Sequence, residues 1–126
     1  MNPKQEYKKL INSFKYAIEG IISSFKTERN MKIHVLAMII VVVFGFVFML
    51  DKIEWCFIII AIISVISAEL LNTAIETVVD MISPEKNPKA KLAKDIAAGA
   101  VLVVAIGAAI MGIIIFGPKI ISVFSK

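Results

Sequence analysis

Two long stretches of this 126-residue chain, residues 33–50 and residues 96–118, contain no Asp, Glu, Lys or Arg. A third stretch, residues 53–82, is apolar except for a few polar side chains, most of them in its second half. A helix needs about 20 residues to cross a hydrocarbon core. We therefore predict three transmembrane helices over residues 33–50, 53–82 and 95–118, within one all-α membrane domain that covers residues 1–126.

The composition excludes the soluble classes of protein. Hydrophobic residues make up 59% of the chain and charged residues 19%, against about 45–50% and about 25% in ordinary soluble proteins. A soluble domain of this size has too little interior to hide so much apolar surface. A soluble enzyme, a disordered chain and a nucleic-acid-binding module are all poor explanations, and we expect no nucleic acid among the partners.

The segment before the first span, residues 4–28, is predicted to be an amphipathic helix that lies on the membrane surface. Its apolar residues recur at helical spacing and share one face, and most of its lysines fall elsewhere on the helix. Such a helix lies flat at the surface of an anionic leaflet. Two interpretations remain open, a simple membrane float and a wall of a site at the membrane surface.

Basic residues set the expected orientation. Seven Lys or Arg precede the first span and four lie between the second and third spans, against three on the other side of the membrane. Because basic loops stay in the cytoplasm, we expect a multi-pass protein of the cell membrane whose N-terminus and second loop are cytoplasmic. Residues Trp55 and His34 are interpreted as interfacial.

The second span carries polar residues with spacings of three and four, which place them on one helical face. They are Glu69, Asn72, Thr73, Glu76 and Asp80. A carboxylate at membrane depth costs roughly 2.5 kcal/mol or more, and neighbouring carboxylates repel one another unless a cation joins them. Polar contacts between helices usually involve Ser, Thr, Asn or Gln, so a cation site at the membrane surface is the favoured interpretation.

The ligands available on this face favour Mg²⁺. They are oxygen atoms, and hard ions such as Mg²⁺ prefer oxygen. Because Mg²⁺ usually takes one or two carboxylates together with substrate phosphates, the face is typical of a phosphoryl-transfer site. The chain contains neither of the two common glycine-rich phosphate motifs. In the second loop Lys94 and Asp95 are adjacent charges at the start of an apolar helix, whereas Lys86, Lys89 and Lys91 are explained equally well by topology.

Three segments resemble the prokaryotic diacylglycerol kinase family of small membrane-embedded lipid kinases. They are Thr27-Glu28-Arg29-Asn30, Glu69-x-x-Asn72-Thr73-Ala74-Ile75-Glu76-x-x-x-Asp80 and Ala93-Lys94-Asp95-x-Ala97-Ala98-Gly99-Ala100-Val101. The similarity extends from about Phe14 to Lys119. In detail it is greatest to the Gram-positive branch, whose members mainly phosphorylate undecaprenol.

The resemblance implies a homotrimer with active sites at the membrane surface between subunits, and it implies roles for individual residues. Glu69 would be the general base, and Glu28 and Glu76 would bind Mg²⁺ and, through it, the phosphates of ATP. Lys94 would contact the phosphates and Asp95 the nucleotide. Asn72 and Asp80 would support the polar face. The further positions implied are Tyr16, Glu85, Lys86 and Asn87 for the nucleotide, and Lys9, Glu69 and Ala98 for the lipid substrate.

The expected function is ATP-dependent phosphorylation of undecaprenol to undecaprenyl phosphate at the cytoplasmic surface of the membrane. The alternative is a diacylglycerol kinase that makes phosphatidic acid. A small ion or proton-relay subunit could also carry intramembrane carboxylates, and a non-catalytic scaffold is a weaker alternative, because it has no need of Lys94 and Asp95 opposite three carboxylates. Magnesium-dependent consumption of ATP in the presence of a lipid alcohol distinguishes a kinase from both.

Overall fold

The computed structural model describes residues 2–125, and they form four α-helices. The helices are α1 (Pro3–Thr27), α2 (Arg29–Val47), α3 (Lys52–Ile82) and α4 (Pro88–Phe124). The last three are long and apolar enough to cross a membrane. The prediction of an all-α chain with three candidate spans is therefore confirmed. The helix bounds differ from the predicted spans. Helix α2 begins before residue 33 and ends at Val47, three residues short of residue 50, α3 begins one residue early at Lys52, and α4 extends beyond residues 95–118 at both ends.

Side-chain caps explain where three of the helices begin. Asn2, Asp51 and Asn87 are the N-cap residues of α1, α3 and α4, and their side-chain oxygens accept hydrogen bonds from backbone N–H groups of the first turn. In α1 and α3 the side chain of the third helical residue, Gln5 or Glu54, accepts a hydrogen bond in return from the N-cap backbone. This capping box satisfies donors that a helix leaves unpaired at its N-terminus.

A single residue, Glu28, separates α1 from α2. Its backbone is extended, with φ −90° and ψ 120°. Its N–H donates to the carbonyl of Ser24 at 3.0 Å, and its own carbonyl accepts from the N–H of Lys32 at 3.2 Å. Glu28 therefore ends one helix and starts the next, and Met31, just beyond this corner, is completely buried.

The turn between α2 and α3 is tight. Met49 has a φ of 52°, the left-handed conformation that usually follows the end of a helix. The N–H of Met49 donates to the carbonyl of Phe46, and that of Leu50 donates to the carbonyl of Gly45. These two bonds form a Schellman motif, which reverses the chain within four residues and places Trp55 against Gly45.

Helices α3 and α4 form an antiparallel pair with the most extensive contact in the molecule. Ion pairs join the two helices near both ends, Glu54 with Lys119 at 3.0 Å and Asp80 with Lys94 at 2.9 Å. At about 1.5 Å per residue the two pairs are roughly 39 Å apart along α3, which exceeds a hydrocarbon core of about 30 Å. The α3–α4 pair can therefore cross a membrane with both ion pairs outside the hydrocarbon.

The buried core lies at the α2–α3 turn and consists of Leu50, Ile58, Ile115 and Phe116. The ring of Phe116 makes edge contacts with the rings of two phenylalanines of the α2 end. Most other apolar side chains of α2, α3 and α4 are exposed. This distribution suits helices that face lipid, in which apolar side chains need no protein cover.

We predict that Gly45→Ala destabilises the α2–α3 turn. A Cβ at Gly45 would lie 2.5 Å from the ring of Trp55 and 3.2 Å from Leu50, and overpacking of this kind costs about 1–3 kcal/mol. Gly107→Ala is the matched control, because its Cβ would meet nothing within 4 Å. Thermal unfolding in detergent, followed by circular dichroism, should show a lower midpoint for Gly45→Ala alone. Equal midpoints for the two variants would contradict the close packing of Trp55 on Gly45.

Candidate active site

The polar face of α3 changes from buried to exposed along the helix. Glu69 and Asn72 are buried, with 2% and 7% of their surfaces exposed. Thr73 and Glu76 are half-buried, and Asp80 is exposed. If the Glu54–Lys119 pair marks one interface, Glu69 lies about 22 Å along α3 from it, still inside a core of about 30 Å. Glu76 and Asp80 then lie beyond the hydrocarbon.

Helix α2 brings His34 to the buried carboxylate. The Nε2 atom of His34 lies 3.0 Å from Oε1 of Glu69. The two atoms are within reach of a hydrogen bond, but none is formed, so Oε1 of Glu69 accepts no hydrogen bond among residues 2–125.

A second buried acceptor lies one turn further along the same face. Oδ1 of Asn72 also has no hydrogen-bond partner in the described part of the chain. Buried polar atoms in proteins are paired in the great majority of cases, and an unpaired one costs about 1–3 kcal/mol. Two such oxygens at positions i and i+3 can each accept one further hydrogen bond.

Hydroxyl groups connect this region to the end of α1. Oγ1 of Thr73 donates to the carbonyl of Glu69 at 3.0 Å. Because that bond uses the only proton of the Thr73 hydroxyl, the contact between Ser24 and Thr73, at 3.5 Å, requires Ser24 to be the donor. Ser24 is buried. The last turn of α1 therefore lies against the polar face, which favours the wall over the float for that part of the helix.

Lys94 of α4 lies at the exposed end of the face, before the charge-free stretch of that helix. Its Nζ donates to Oδ1 of Asp80 at 2.9 Å. This hydrogen bond, and after it the charges of Asp80 and Glu76, hold the pKa of Lys94 above its ordinary value. Asp95, the other charged residue expected here, pairs with Lys91 one turn away on α4.

Two glutamates remain as candidate ligands for Mg²⁺. Glu28 lies at the corner between α1 and α2, where its Oε1 is 3.2 Å from the hydroxyl of Thr27, whose single proton is also within reach of the Ser23 carbonyl at 3.0 Å. Glu76 is half-buried and has no hydrogen-bonded or ion-paired partner within residues 2–125. Nowhere in this range do three or more His, Cys, Asp or Glu side chains form a metal-binding group. Glu28 and Glu76 offer carboxylate oxygens, the donor type that Mg²⁺ takes in ones or twos while phosphate and water complete its shell.

Within residues 2–125, no hydrogen bond or ion pair joins the remaining predicted residues to the polar face. Lys9 and Tyr16 line a hollow of about 380 Å³ formed by α1 alone. Glu85 and Lys86 are exposed in the loop between α3 and α4. In the same loop Oδ1 of Asn87 caps α4 by accepting from two backbone N–H groups. Ala98 is exposed on α4. Their predicted roles stay predictions.

The contact of His34 with Glu69 was not predicted from the sequence. His34 was interpreted only as an interfacial residue, although its place in the sequence indicated that it should have a partner. His34 is the one titratable side chain in a stretch of the chain that is otherwise free of charge, and intramembrane ionisable residues usually have a partner.

An apolar groove of about 480 Å³ adjoins the polar face, between α2, α3 and α4. His34 is its only lining residue with a polar side chain. The wall contributed by α4 contains small residues, among them Ala108 and Gly112, and that of α3 contains branched aliphatic residues such as Ile62 and Val65. The groove can accommodate hydrocarbon, but it offers almost no hydrogen bonds.

Comparison with known proteins identifies the family. Residues 15–116 match the family model described as prokaryotic diacylglycerol kinase. The chain belongs to this family. It is 44% identical over 117 residues to an undecaprenol kinase of Bacillus subtilis, covering 93% of this chain and 95% of the relative. It is also 39% identical over 114 residues to a diacylglycerol kinase of Synechocystis, covering 90% and 65%, and 38% identical over 86 residues to one of Haemophilus influenzae, covering 68% and 73%.

Membership in this family confirms the resemblance stated from the motif residues and identifies the chain as a lipid kinase. The matched range includes Glu28, the whole polar face of α3 and the segment around Lys94. The observed geometry, a carboxylate buried beside an apolar groove with charged residues at the exposed end of the same helix, is therefore the geometry of a lipid kinase chain.

We predict that Glu69→Gln leaves the protein as stable as the wild type or makes it more stable. The substitution removes a charge that is almost fully buried and whose Oε1 lacks an aligned hydrogen bond, a cost of about 1–3 kcal/mol. Glu54→Gln is the control, because Glu54 is paired with Lys119 and its loss should not stabilise the chain. Thermal unfolding in detergent is the measurement. A clear loss of stability in Glu69→Gln would mean that the carboxylate is well satisfied in the folded protein.

Proposed function

We propose that this chain transfers the γ-phosphoryl group of ATP to the hydroxyl group of undecaprenol. The observation that carries the proposal is the position of Glu69. It is a buried carboxylate that contacts His34, a lining residue of the apolar groove, and it shares one helical face with the charged residues of the exposed end. The similarity over nearly the whole chain to a protein named undecaprenol kinase supports the choice of acceptor.

In the proposed reaction Glu69 is the general base. As the hydroxyl oxygen of the lipid bonds to the γ-phosphorus, the bond between that phosphorus and the leaving oxygen of ADP breaks, and the hydroxyl proton passes to the carboxylate of Glu69. A base must lie within hydrogen-bond reach of the proton it removes. The depth of Glu69 on α3 suits a hydroxyl carried by a molecule that stays in the bilayer.

The charged end of the polar face would bind the nucleotide. Glu28 and Glu76 would hold Mg²⁺, which neutralises charge on the phosphates when it is bound. Lys94 lies beside Asp80 and within the field of Glu76, and we propose that it contacts the phosphates. Phosphoryl transfer depends mostly on positioning and charge stabilisation, so a few charged side chains at a membrane surface are sufficient.

The groove supports undecaprenol over diacylglycerol. In diacylglycerol two ester groups lie within a few atoms of the hydroxyl group, whereas undecaprenol continues from its hydroxyl as hydrocarbon. An ester carbonyl placed in the groove would find only apolar lining beyond His34, and a buried acceptor without a donor costs about 1–3 kcal/mol. Diacylglycerol remains the alternative acceptor, because several relatives carry that name.

We also propose a homotrimer whose N-terminus and α3–α4 loop face the cytoplasm. The excess of Lys and Arg in these two segments supports the orientation. Exposed apolar side chains on α2, α3 and α4 leave surface both for lipid and for other copies of the chain. Family membership speaks against an ion or proton-relay subunit.

The choice of acceptor predicts a preference that can be measured directly. The purified protein, in mixed micelles that contain undecaprenol and diacylglycerol side by side, should transfer label from γ-labelled ATP mainly to undecaprenol. We expect at least a tenfold ratio of kcat/KM, which corresponds to about 1.4 kcal/mol of discrimination. Omission of Mg²⁺ should abolish transfer to both lipids. Equal or greater transfer to diacylglycerol would favour the alternative acceptor.

The assigned roles predict a separation between binding and turnover. Glu28→Gln and Glu76→Gln should weaken the binding of Mg·ATP and lower turnover by orders of magnitude, because each removes a proposed ligand. Glu69→Gln should lower turnover while binding stays nearly normal. Glu69 and Glu76 cannot both coordinate one Mg²⁺ ion directly. They lie about 10 Å apart along α3, whereas Mg–O distances are about 2.1 Å. Calorimetric titration of Mg·ATP tests this. Equal losses of affinity in all three variants would show that Glu69 is a ligand and not a base.

A further inference from the structure

His34 is the one polar side chain of α2 that reaches the proposed base. Its Nε2 lies 3.0 Å from Oε1 of Glu69, and the side chain is 23% exposed. No other side chain in the described range makes a polar contact with this carboxylate. The orientation of Glu69 therefore depends on a residue of a different helix.

The two side chains are close enough to bond but form no hydrogen bond with each other. In enzymes without substrate, catalytic hydrogen bonds are often long or poorly aligned and tighten only when the substrate binds. With Nε2 already 3.0 Å from Oε1, a hydrogen bond between them requires only that the Nε2 proton point at Oε1. The other oxygen, Oε2, would then remain for the acceptor hydroxyl.

We propose that His34 is a positioning residue of the kinase. It donates a hydrogen bond from Nε2 to Oε1 of Glu69, which fixes the carboxylate with Oε2 directed at the lipid hydroxyl. The proposal rests on the proposed function, because it assumes that Glu69 is the base. His34 touches neither the nucleotide nor the reacting phosphorus.

The location of His34 also bears on how the lipid substrate would enter the site. It lines the apolar groove and is the only polar side chain there. A lipid hydroxyl that bonds to Glu69 would therefore enter the site beside the His34 ring, with its hydrocarbon leaving along the groove. His34 thus lies at the boundary between the polar head and the apolar tail of the substrate.

The test compares two variants of similar size. His34→Gln keeps an N–H donor at similar reach, and His34→Leu removes the donor. With undecaprenol as acceptor, we expect His34→Leu to lower kcat by about ten- to a hundredfold, the cost of a misplaced catalytic group. The KM for Mg·ATP and the unfolding midpoint should stay close to the wild-type values. His34→Gln should recover most of the lost kcat.

The control is an ion pair whose atoms are separated by the same distance. Glu54 and Lys119 are also 3.0 Å apart, but they join α3 and α4 at the opposite end of the apolar stretch. Glu54→Gln should leave kcat unchanged, whatever it does to the unfolding midpoint. A purely structural contact between His34 and Glu69 would behave in the same way.

Each outcome decides the question. Near-normal kcat in His34→Leu, or equal impairment of the Leu and Gln variants, would overturn the positioning role. A loss of kcat that follows a lower unfolding midpoint in both variants would make His34 structural. Failure of the wild type to phosphorylate any lipid alcohol would instead refute the proposed function. Normal turnover in Glu69→Gln would refute the assignment of Glu69 as the base. If Glu69→Gln loses turnover but the His34 variants keep a wild-type kcat, only the positioning role of His34 is refuted.

Discussion

The site depends on one buried carboxylate. Glu69 lies in a helix that is otherwise apolar at this depth, with 2% of its surface exposed. A charge in such a place is costly unless it is paired or hydrogen-bonded. The neighbouring helices place polar groups near this carboxylate. Helix α2 brings the imidazole of His34 next to Glu69, and α1 brings the hydroxyl of Ser24 next to that of Thr73. Oε1 of Glu69 and Oδ1 of Asn72 have no hydrogen-bond partner among the described residues, so each can still accept a hydrogen bond.

Helix α3 is long enough for its polar face to lie partly in hydrocarbon and partly in water. The helix has 31 residues, about 46 Å at 1.5 Å per residue, and therefore extends well beyond a hydrocarbon core of about 30 Å. One continuous face can then present a buried carboxylate at lipid depth and further carboxylates in water. The ion pair of Asp80 with Lys94 fixes α4 at the aqueous end. A rigid helix would thus set the distance between the proposed lipid site and the proposed phosphate site.

Local features of the sequence were sufficient to predict most of the fold. Charge-free stretches identify spanning helices because a charge in hydrocarbon is costly, and the 3.6-residue period places the polar residues of α3 on one face. The caps at Asp51 and Asn87 are equally local. The contacts between helices could not be predicted in this way. The His34–Glu69 and Ser24–Thr73 contacts depend on how α1 and α2 are rotated against α3, and that rotation follows from packing over the whole helix pair.

The groove also limits how the substrate can be recognised. Apolar lining distinguishes hydrocarbon chains weakly, by about 1–3 kcal/mol per methylene at most, so the groove cannot measure the length of a long isoprenoid. It can also reject polar groups, since a buried ester carbonyl would lose its hydrogen bonds to water, at a cost of about 1–3 kcal/mol for each carbonyl. Discrimination in this chain would therefore act against the ester groups next to the hydroxyl of diacylglycerol. Residues near His34, where the lining changes from polar to apolar, would determine the acceptor, and the far end of the groove would contribute affinity without specificity.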